Sequence, residues 1–221
     1  MKDLVIFGAG GFGREAKQVV DDTNQDSPEW NFIGFLDSDP VKQTGDIHGY
    51  PILGGAEWLA GHPGVHVVVG IGAPAARCRT VTSLRASGCS RFATLVHPRA
   101  IVGLHVSVGP GTVICGGVGV DPDTTLGAHV ILNLNCTVGH DTVIGDFVAL
   151  APGVNVSGGV RIGEGCDIGA GAAIVPGVTV GPWAIVGAGA VVARDLPANV
   201  TAVGVPASVR KVRPAGWHEQ A

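Results

Sequence analysis

The second half of the chain carries a six-residue repeat of aliphatic side chains that runs without interruption through sixteen positions. Every position holds valine, isoleucine or leucine: Val102, Val108, Ile114, Val120, Leu126, Leu132, Val138, Ile144, Leu150, Val156, Ile162, Ile168, Ile174, Val180, Val186 and Val192. A period of six fits neither an amphipathic helix nor a flat strand. The repeat predicts a parallel β-solenoid, in which each hexapeptide buries its aliphatic side chain only by stacking on its neighbours.

The other positions of the hexapeptide support this interpretation. A small or β-branched residue precedes each aliphatic position by two, as Cys136, Val154 and Ala190 do. Both residues should point inward, because alternate residues of a strand share a face. Glycine often follows the aliphatic residue, and we expect it to let the backbone turn a corner. Three hexapeptides then make a triangular coil of about 18 residues, and sixteen make about five coils.

The first half of the chain has a different pattern, in which apolar strand-like runs alternate with helical segments. We predict strands over residues 4–7, 32–36, 65–69 and 92–96, the start of a helix over 14–21, and a helix over 74–86. Such alternation favours a small parallel sheet. The sequence therefore predicts an α/β Rossmann-like domain over residues 1–97 and an all-β solenoid domain over residues 98–221.

A glycine turn follows the first predicted strand. The turn matches the pattern of a dinucleotide site through Gly8, Gly10 and Gly13, with Asp37 after the second strand. In such a site the glycines let the backbone approach a pyrophosphate, and the carboxylate accepts a hydrogen bond from a ribose hydroxyl. The domain stops after one half of a doubly wound fold and a solenoid follows it, so we favour a nucleotide sugar over NAD as the ligand. The glycine pattern itself favours nucleotide binding over a purely structural turn.

Composition and charge exclude several classes of partner. The formal net charge is −4 and the isoelectric point is near 6.0, which offers no basic face for a nucleic acid or an anionic membrane. Residues 169–193 carry no charge and could span a bilayer by length, but Pro176, Pro182 and the six-residue period argue against a membrane helix. The N-terminus lacks the features of a signal peptide, so we expect a cytoplasmic protein.

The five cysteines form no CxxC pair and are expected to be reduced packing residues. Among the eight histidines, His48, His62, His66, His97 and His218 are expected to be surface or packing residues, with His218 in a frayed tail. His105, His129 and His140 lie in the solenoid.

The chain resembles the sugar acetyltransferases of the left-handed parallel β-helix class, the group with sialic-acid O-acetyltransferases and UDP-4-amino-sugar N-acetyltransferases. The resemblance covers nearly the whole chain. It rests on Gly8-Ala9-Gly10-Gly11-Phe12-Gly13, on Val96-His97-Pro98, on the segment from Gly139 to Phe147, and on Val203-Gly204-Val205-Pro206-Ala207. It implies left-handed winding, acetyl-CoA as co-substrate, and a homotrimer with active sites between subunits.

The resemblance also implies the catalytic residues. His140 would be the general base, Asp141 would raise its basicity, and the N–H of Gly158, one coil later, would stabilise the oxyanion. The identity of the carboxylate stays open from the residues alone, because Asp123 and Asp146 are alternatives. The metal content is predicted to be none.

The family pattern assigns the ligand contacts as well. It places the acyl donor along Arg161, Ala170 and Ala188, with Ala149 at a position where some relatives have a second histidine. The sugar-nucleotide contacts fall to Gly10, Gly11, Phe12, Asp37 and Gly72. Phe12 stands where relatives with UDP-sugars often have histidine, which leaves the nucleotide open.

Three hypotheses for the function follow: a sugar acetyltransferase, a binding scaffold and a zinc enzyme. We favour N-acetylation of a nucleotide-linked 4-amino-deoxysugar in surface-glycan biosynthesis, with O-acetylation of a sialic acid as the alternative. A non-catalytic, trimeric nucleotide-sugar-binding scaffold is the alternative from another class. A zinc enzyme of the carbonic anhydrase type is disfavoured, because His105, His129 and His140 are 24 and 11 residues apart and lack the pair five residues apart that such a site requires.

Overall fold

The computed structural model describes residues 1–220, which form an N-terminal α/β region and a C-terminal parallel β-solenoid. The elements of the N-terminal region are β1 (Lys2–Phe7), α1 (Gly11–Asp26), β2 (Trp30–Leu36), β3 (Asp46–Ile47), β4 (Tyr50–Pro51), β5 (His66–Val69) and α2 (Pro74–Ala86). Strands β2, β1 and β5 form a parallel sheet with β1 in the centre. Alternate residues of β1 pack on opposite sides, Leu4 and Ile6 with α1 and Val5 with α2, as expected for a strand covered on both faces. The predicted α/β fold is confirmed.

The solenoid consists of two-residue strands separated by tight turns. They are β6 (Leu95–Val96), β7 (Ile101–Val102), β8 (Ser107–Val108), β9 (Val113–Ile114), β10 (Gly119–Val120), β11 (Thr125–Leu126), β12 (Ile131–Leu132), β13 (Thr137–Val138), β14 (Val143–Ile144), β15 (Ala149–Leu150), β16 (Asn155–Val156), β17 (Arg161–Ile162), β18 (Asp167–Ile168), β19 (Ala173–Ile174), β20 (Thr179–Val180), β21 (Ile185–Val186), β22 (Val191–Val192), β23 (Val200–Val203) and β24 (Ser208–Val212).

These strands stack into three walls of a triangular prism. Wall 1 holds β7, β10, β13, β16, β19 and β22, wall 2 holds β8, β11, β14, β17 and β20, and wall 3 holds β6, β9, β12, β15, β18, β21, β23 and β24. The predicted parallel solenoid is confirmed, with about six turns instead of five, because β6 and β23 add strands to wall 3 at both ends of the repeat.

The hydrophobic core of the solenoid is the one that the repeat predicts. The inward residues Val138 and Ile144 are each 1% exposed, and Cys136, two positions before Val138, is 0% exposed. Val102 in the first repeat is 39% exposed, because it lies in the terminal strand of wall 1.

The role expected for the glycine after each aliphatic residue is wrong. The residue with a left-handed backbone lies three positions after the aliphatic one: glycine in many turns, but Asp123, Asp141 and Phe147 in others. The glycine directly after the aliphatic residue is needed instead for the close stacking of one coil on the next. A Cβ atom on Gly139 would lie 2.5 Å from the backbone nitrogen of Gly158 in the next coil, and no heavy atoms approach that closely without displacement.

The N-terminal region packs on wall 3. Outward residues of that wall, Val113 and Ile131, are only 1% and 3% exposed, and Glu15 of α1 accepts a hydrogen bond from Asn133 at 3.2 Å. The predicted strand over residues 92–96 divides between the two parts. Phe92 makes a single parallel bridge to Val67 of β5, whereas β6 pairs with β9 of the solenoid.

The C-terminal segment also returns to the N-terminal region, so the expectation of a frayed tail at His218 is wrong. The imidazole of His218 stacks on the Trp183 ring with centroids 3.6 Å apart, and its carbonyl accepts a 2.6 Å hydrogen bond from Arg79 of α2. Residues 213–220 therefore connect the last coils to α2. No helix among residues 1–220 combines the length and the apolar character that crossing a membrane requires.

Candidate active site

A histidine–aspartate pair stands at one edge of the prism, in the turn between β13 of wall 1 and β14 of wall 2. The Nδ1 atom of His140 lies 2.7 Å from Oδ2 of Asp141, and both side chains are 68% exposed in the single chain. The hydrogen bond to Asp141 and its negative charge raise the pKa of His140 above the ordinary histidine value. If Nδ1 carries the proton of a neutral imidazole, Nε2 is left as the free acceptor.

The turn conformation explains how adjacent residues can pair. Asp141 has a left-handed backbone with φ of 57°, a conformation that aspartate adopts more readily than most residues. Among the other carboxylates that the sequence left open, Asp146 accepts a 2.7 Å hydrogen bond from the N–H of Ala128. The structure therefore brings Asp141, the first of the three candidates, against the imidazole.

Gly158 occupies the same turn one coil later and faces the histidine ring. A Cβ atom at this position would lie 2.7 Å from Nε2 of His140. The two turns are also joined by a 2.8 Å hydrogen bond from the N–H of Gly159 to the carbonyl of His140. Only glycine leaves the imidazole in its place, so the close packing of Gly158 belongs to the site.

The pair borders an open groove of about 400 Å³ on the outer face of wall 1. Its floor is polar, because Thr137 donates a 2.9 Å hydrogen bond to Asn155 across adjacent coils. The lining residues are Gly119, Asp121, Thr137, Val138, Gly139, His140, Asn155, Val156, Ser157 and Gly158. A base with a free nitrogen, beside a groove that admits a substrate, is an arrangement suited to general-base catalysis.

The glycine turn of the N-terminal region forms a second candidate site. Within residues 1–220, no atom lies within 4 Å of a would-be Cβ on Gly10 or Gly11, which leaves open space above the start of α1. Gly13 is needed for packing, since its Cβ would lie 1.9 Å from the Gly8 carbonyl oxygen. Phe12 is half-buried, and Gly72 is exposed beside it.

Asp37 fixes this turn instead of pointing freely into it. Its carboxylate accepts 2.9 Å hydrogen bonds from the N–H groups of Ala9 and Asp39 and pairs with Lys42 at 3.2 Å. Burial by itself would raise the pKa of Asp37, but these hydrogen bonds and the lysine lower it overall. Lys42 is a cation beside the glycine turn that sequence reasoning missed, because it belongs to a loop without a recognisable motif.

Comparisons with known proteins agree with both parts of the chain. Residues 3–84 match the PglD N-terminal domain, and residues 141–174 and 159–194 match the bacterial transferase hexapeptide (six repeats). The chain is 32% identical to perosamine N-acetyltransferase from Caulobacter crescentus, solved as a histidine-to-asparagine variant with CoA and GDP-perosamine. The TM-score is 0.87, over 96% of this chain and 98% of that one. The chain belongs to the hexapeptide-repeat sugar acetyltransferases.

Two further relatives of this sugar acetyltransferase extend the comparison. The acetyltransferase domain of PglB from Neisseria gonorrhoeae is 30% identical, with a TM-score of 0.83 over 95% of this chain and 100% of that one. GDP-perosamine N-acetyltransferase from Escherichia coli is 32% identical over 150 residues, which are 67% of this chain and 66% of that protein. The matched region thus spans slightly less than two thirds of the latter relative.

The residues predicted to hold the acyl donor lie on other parts of the acetyltransferase prism than His140. Ala170 and Ala188 are exposed at successive turns between walls 3 and 1, and the N–H of Gly189 donates to the Ala170 carbonyl at 2.8 Å. Arg161 is exposed on wall 2, and Ala149 is 8% exposed on wall 3. A single chain therefore does not bring these residues together with the histidine.

The N-terminal region of the acetyltransferase is also distant from His140 in the same chain. It covers wall 3, whereas His140 lies at the edge where walls 1 and 2 meet, which in a triangular prism is the edge opposite wall 3. The glycine turn and the histidine are thus separated by the solenoid itself.

His97 was expected to be a surface or packing residue, and the structure gives it a more specific place. It is 4% exposed, its Nε2 lies 2.8 Å from Asp22 of α1, and its Nδ1 accepts the N–H of Arg99 at 2.9 Å. Both ring nitrogens thus make hydrogen bonds, and His97 connects α1 to the start of the solenoid. Within residues 1–220 no three His, Cys, Asp or Glu side chains gather as a metal site.

Proposed function

We propose that this protein uses acetyl-CoA to acetylate the amino group of a nucleotide-linked 4-amino-deoxysugar, with His140 as the general base. The observation that carries the proposal is the His140–Asp141 pair facing Gly158 in a member of this family. Perosamine N-acetyltransferase, 32% identical over nearly its whole length, has been solved with CoA and an amino-sugar nucleotide. We further propose that the product enters surface-glycan biosynthesis.

The chemistry requires one base and one oxyanion donor. The free amine of the sugar attacks the thioester carbonyl, and Nε2 of His140 takes the proton that the nitrogen loses as the C–N bond forms. The carbonyl oxygen becomes an oxyanion, which the N–H of Gly158 would stabilise. Among residues 1–220 this N–H has no hydrogen-bond acceptor, which leaves it available. Collapse of the intermediate breaks the C–S bond, and the proton held by the His140 imidazolium passes to the leaving thiolate, which releases CoA as the thiol and restores the base.

We propose that the active site is shared between protomers of a homotrimer. The support is geometric, since His140 stands opposite the wall that carries the N-terminal region, and Ala170, Ala188, Ala149 and Arg161 lie elsewhere on the prism. A neighbouring prism set edge to edge can supply these residues to the histidine of its partner. Acetyl-CoA would then lie in the groove between two solenoids, against the small side chains of Ala170 and Ala188.

The division of labour within the chain is part of the same proposal. Residues 1–97 would bind the nucleotide sugar through Gly10, Gly11, Phe12, Asp37 and Gly72, and residues 98–221 would perform the transfer. Lys42 would add a positive charge near the diphosphate. The cytoplasm is the proposed compartment, because all five cysteines are free thiols, as is usual in a reducing environment.

A thiol-release assay with acetyl-CoA tests the proposal. The acceptors are GDP-, UDP- and dTDP-linked 4-amino sugars and free sialic acid, with mass spectrometry and NMR locating the acetyl group. An amide on a nucleotide-linked sugar is the expected product. An ester on sialic acid would replace N- by O-acetylation, and specific nucleotide-sugar binding without CoA release from any acceptor would favour the scaffold.

A further inference from the structure

One buried arginine joins the loop after β5 to the solenoid. The Arg77 side chain of α2 is only 1% exposed, although a charged group is rarely buried unless it is fully hydrogen-bonded. Its Nε donates to the His129 carbonyl at 2.9 Å, its Nη1 to two carbonyls at 2.7 and 2.6 Å, and its Nη2 to two more at 2.8 and 3.3 Å. These four other acceptors are the carbonyls of Ile71, Gly72, Phe147 and Val148.

The five contacts match the five N–H groups of a guanidinium, which radiate in a fixed plane. One side of the fork holds the loop after β5, at Ile71 and Gly72. The other side holds the two solenoid turns that precede β12 and β15. A lysine has a compact head group and cannot span both sides with this geometry. The contacts therefore fix the position of the loop relative to the solenoid.

The loop that Arg77 holds forms one wall of the glycine turn. The Gly70 N–H donates to the Phe7 carbonyl at 2.7 Å. A Cβ atom on Gly70 would lie 2.7 Å from the Cα of Gly13, and one on Gly8 would lie 2.9 Å from the Gly70 carbonyl oxygen. Backbones this close move together, so a displacement of residues 70–72 would reach residues 8–13.

We propose that Arg77 is a positioning residue that holds the nucleotide-binding cradle, residues 8–13 and 70–72, in register with the solenoid. The inference rests on the proposed function for the nature of the ligand, a nucleoside diphosphate, but not for the acetyl transfer. Arg77 touches the cradle only through backbone carbonyls and contacts no substrate. Its loss should weaken nucleotide binding and leave acetyl-CoA binding unchanged.

Burying the charged Arg77 side chain costs free energy, because the guanidinium loses its hydration. Burial lowers the pKa of Arg77 to about 9, although the charge of Asp167 favours the cation. Among the residues that the structure describes, the hydrogen-bond acceptors of Arg77 are all carbonyls, so the guanidinium is held by dipoles and not by a direct ion pair. A cation kept in this place is consistent with a geometric demand on the loop that an apolar side chain would not meet.

Arg85 provides a matched control in the same helix. It lies at the same interface, with Nη2 3.4 Å from Nε2 of His129 and the guanidinium 5.5 Å from the Phe92 ring centroid, but it makes no hydrogen bond to residues 70–72 within residues 1–220. Arg77→Lys, Arg77→Met and Arg85→Met are compared with wild type in the full-length protein. Calorimetric titration measures the Kd for GDP, UDP and CoA, and thermal melting measures the loss of packing.

Arg77→Met and Arg77→Lys are expected to raise the nucleotide Kd by about 2- to 30-fold, with an unchanged Kd for CoA and faster hydrogen exchange in residues 70–73. Arg85→Met should lower Tm without changing the nucleotide Kd. If Arg77→Met does not fold, Arg77→Lys carries the test. The inference would be overturned by equal nucleotide Kd values for wild type and Arg77→Lys, or by a wild type that binds neither GDP nor UDP. The acetyl transfer is tested separately, by measuring CoA release by wild type.

Discussion

Nδ1 of His140 lies 2.7 Å from Oδ2 of Asp141, its immediate neighbour in sequence, because Asp141 takes the left-handed position of a solenoid turn. The carboxylate thereby orients the imidazole from outside the prism and leaves Nε2 against Gly158. Replacement by asparagine keeps the shape and the turn preference but removes the charge.

Asp141→Asn should shift the pH dependence of the reaction. The base acts in its neutral form, so activity is lost as pH falls through the pKa of His140, and Asp141 raises that pKa. In the variant the acid limb of kcat/KM should move to lower pH, while kcat at high pH falls because the imidazole is less basic and less well oriented. A pH–rate profile measures both. An unmoved acid limb would mean that Asp141 does not act on the titrating base.

Gly158→Ala should impair catalysis without unfolding the solenoid. The new methyl group would lie 2.7 Å from Nε2 of His140 and must displace the ring, and a displacement of about 1 Å can cost about 10²-fold in rate. Steady-state kinetics and Tm are the measurements. Gly64→Ala, where a Cβ meets no atom of the described residues within 4 Å, is the control and should behave as wild type. Wild-type kcat in Gly158→Ala would place the reacting atoms elsewhere.

A mixture of two inactive variants should recover activity if protomers share the site. Gly10→Trp fills the open space at the glycine turn, where no described atom of residues 1–220 lies within 4 Å of a would-be Cβ, and His140→Ala removes the base. In randomly mixed assemblies about one quarter of the sites would pair an intact turn from one protomer with an intact histidine from another. Co-expression with two affinity tags isolates the mixed species. No activity above that of the separate variants would place both groups in one protomer.

His129 should make the folded protein sensitive to acid. It is fully buried, stacks on Phe147 with ring centroids 5.3 Å apart, and has its pKa lowered to about 4 by burial and by Arg85 and Arg77. The unfolded chain binds the proton near the ordinary histidine pKa of about 6.5, so the unfolded state takes up more protons between the two values. Stability is fully present above pH 6.5 and falls as pH decreases toward 4.

His129→Asn tests this dependence, since asparagine tolerates the left-handed backbone at this position, where φ is 55°. The variant should be less stable at neutral pH, because it leaves a cavity beside Phe147. Its Tm should decline less than that of wild type between pH 6.5 and 4.5. Parallel Tm curves for the two proteins would show that another group is responsible.

The sequence predicted what is periodic and local. The inward positions at Val138 and Cys136 follow from the six-residue repeat, and the helix predicted over residues 74–86 coincides with α2. A helix was predicted to follow the glycine motif at residue 14, but α1 begins earlier, at Gly11 within the motif. The His140 turn depended on resemblance, since position alone does not separate a catalytic corner histidine from an exposed one.

The rest depends on contacts between residues far apart in the chain. Arg77 meets Phe147, His97 meets Asp22, and His218 meets Trp183, with sequence separations that no local pattern encodes. The turn conformation was misassigned for a different reason. Glycine is common both where φ is positive and where two backbones approach, and only the structure separates these demands at Gly139 and Gly159.

The rate of CoA release in the presence of acetyl-CoA and a nucleotide-linked 4-amino sugar, measured for wild type and His140→Ala side by side, tests the central claim most directly. Wild type should turn over, and the variant should lose about 10²- to 10⁴-fold in kcat/KM with unchanged Tm and unchanged Kd for GDP or UDP. Equal turnover by the two proteins would contradict the assignment of His140 as the base.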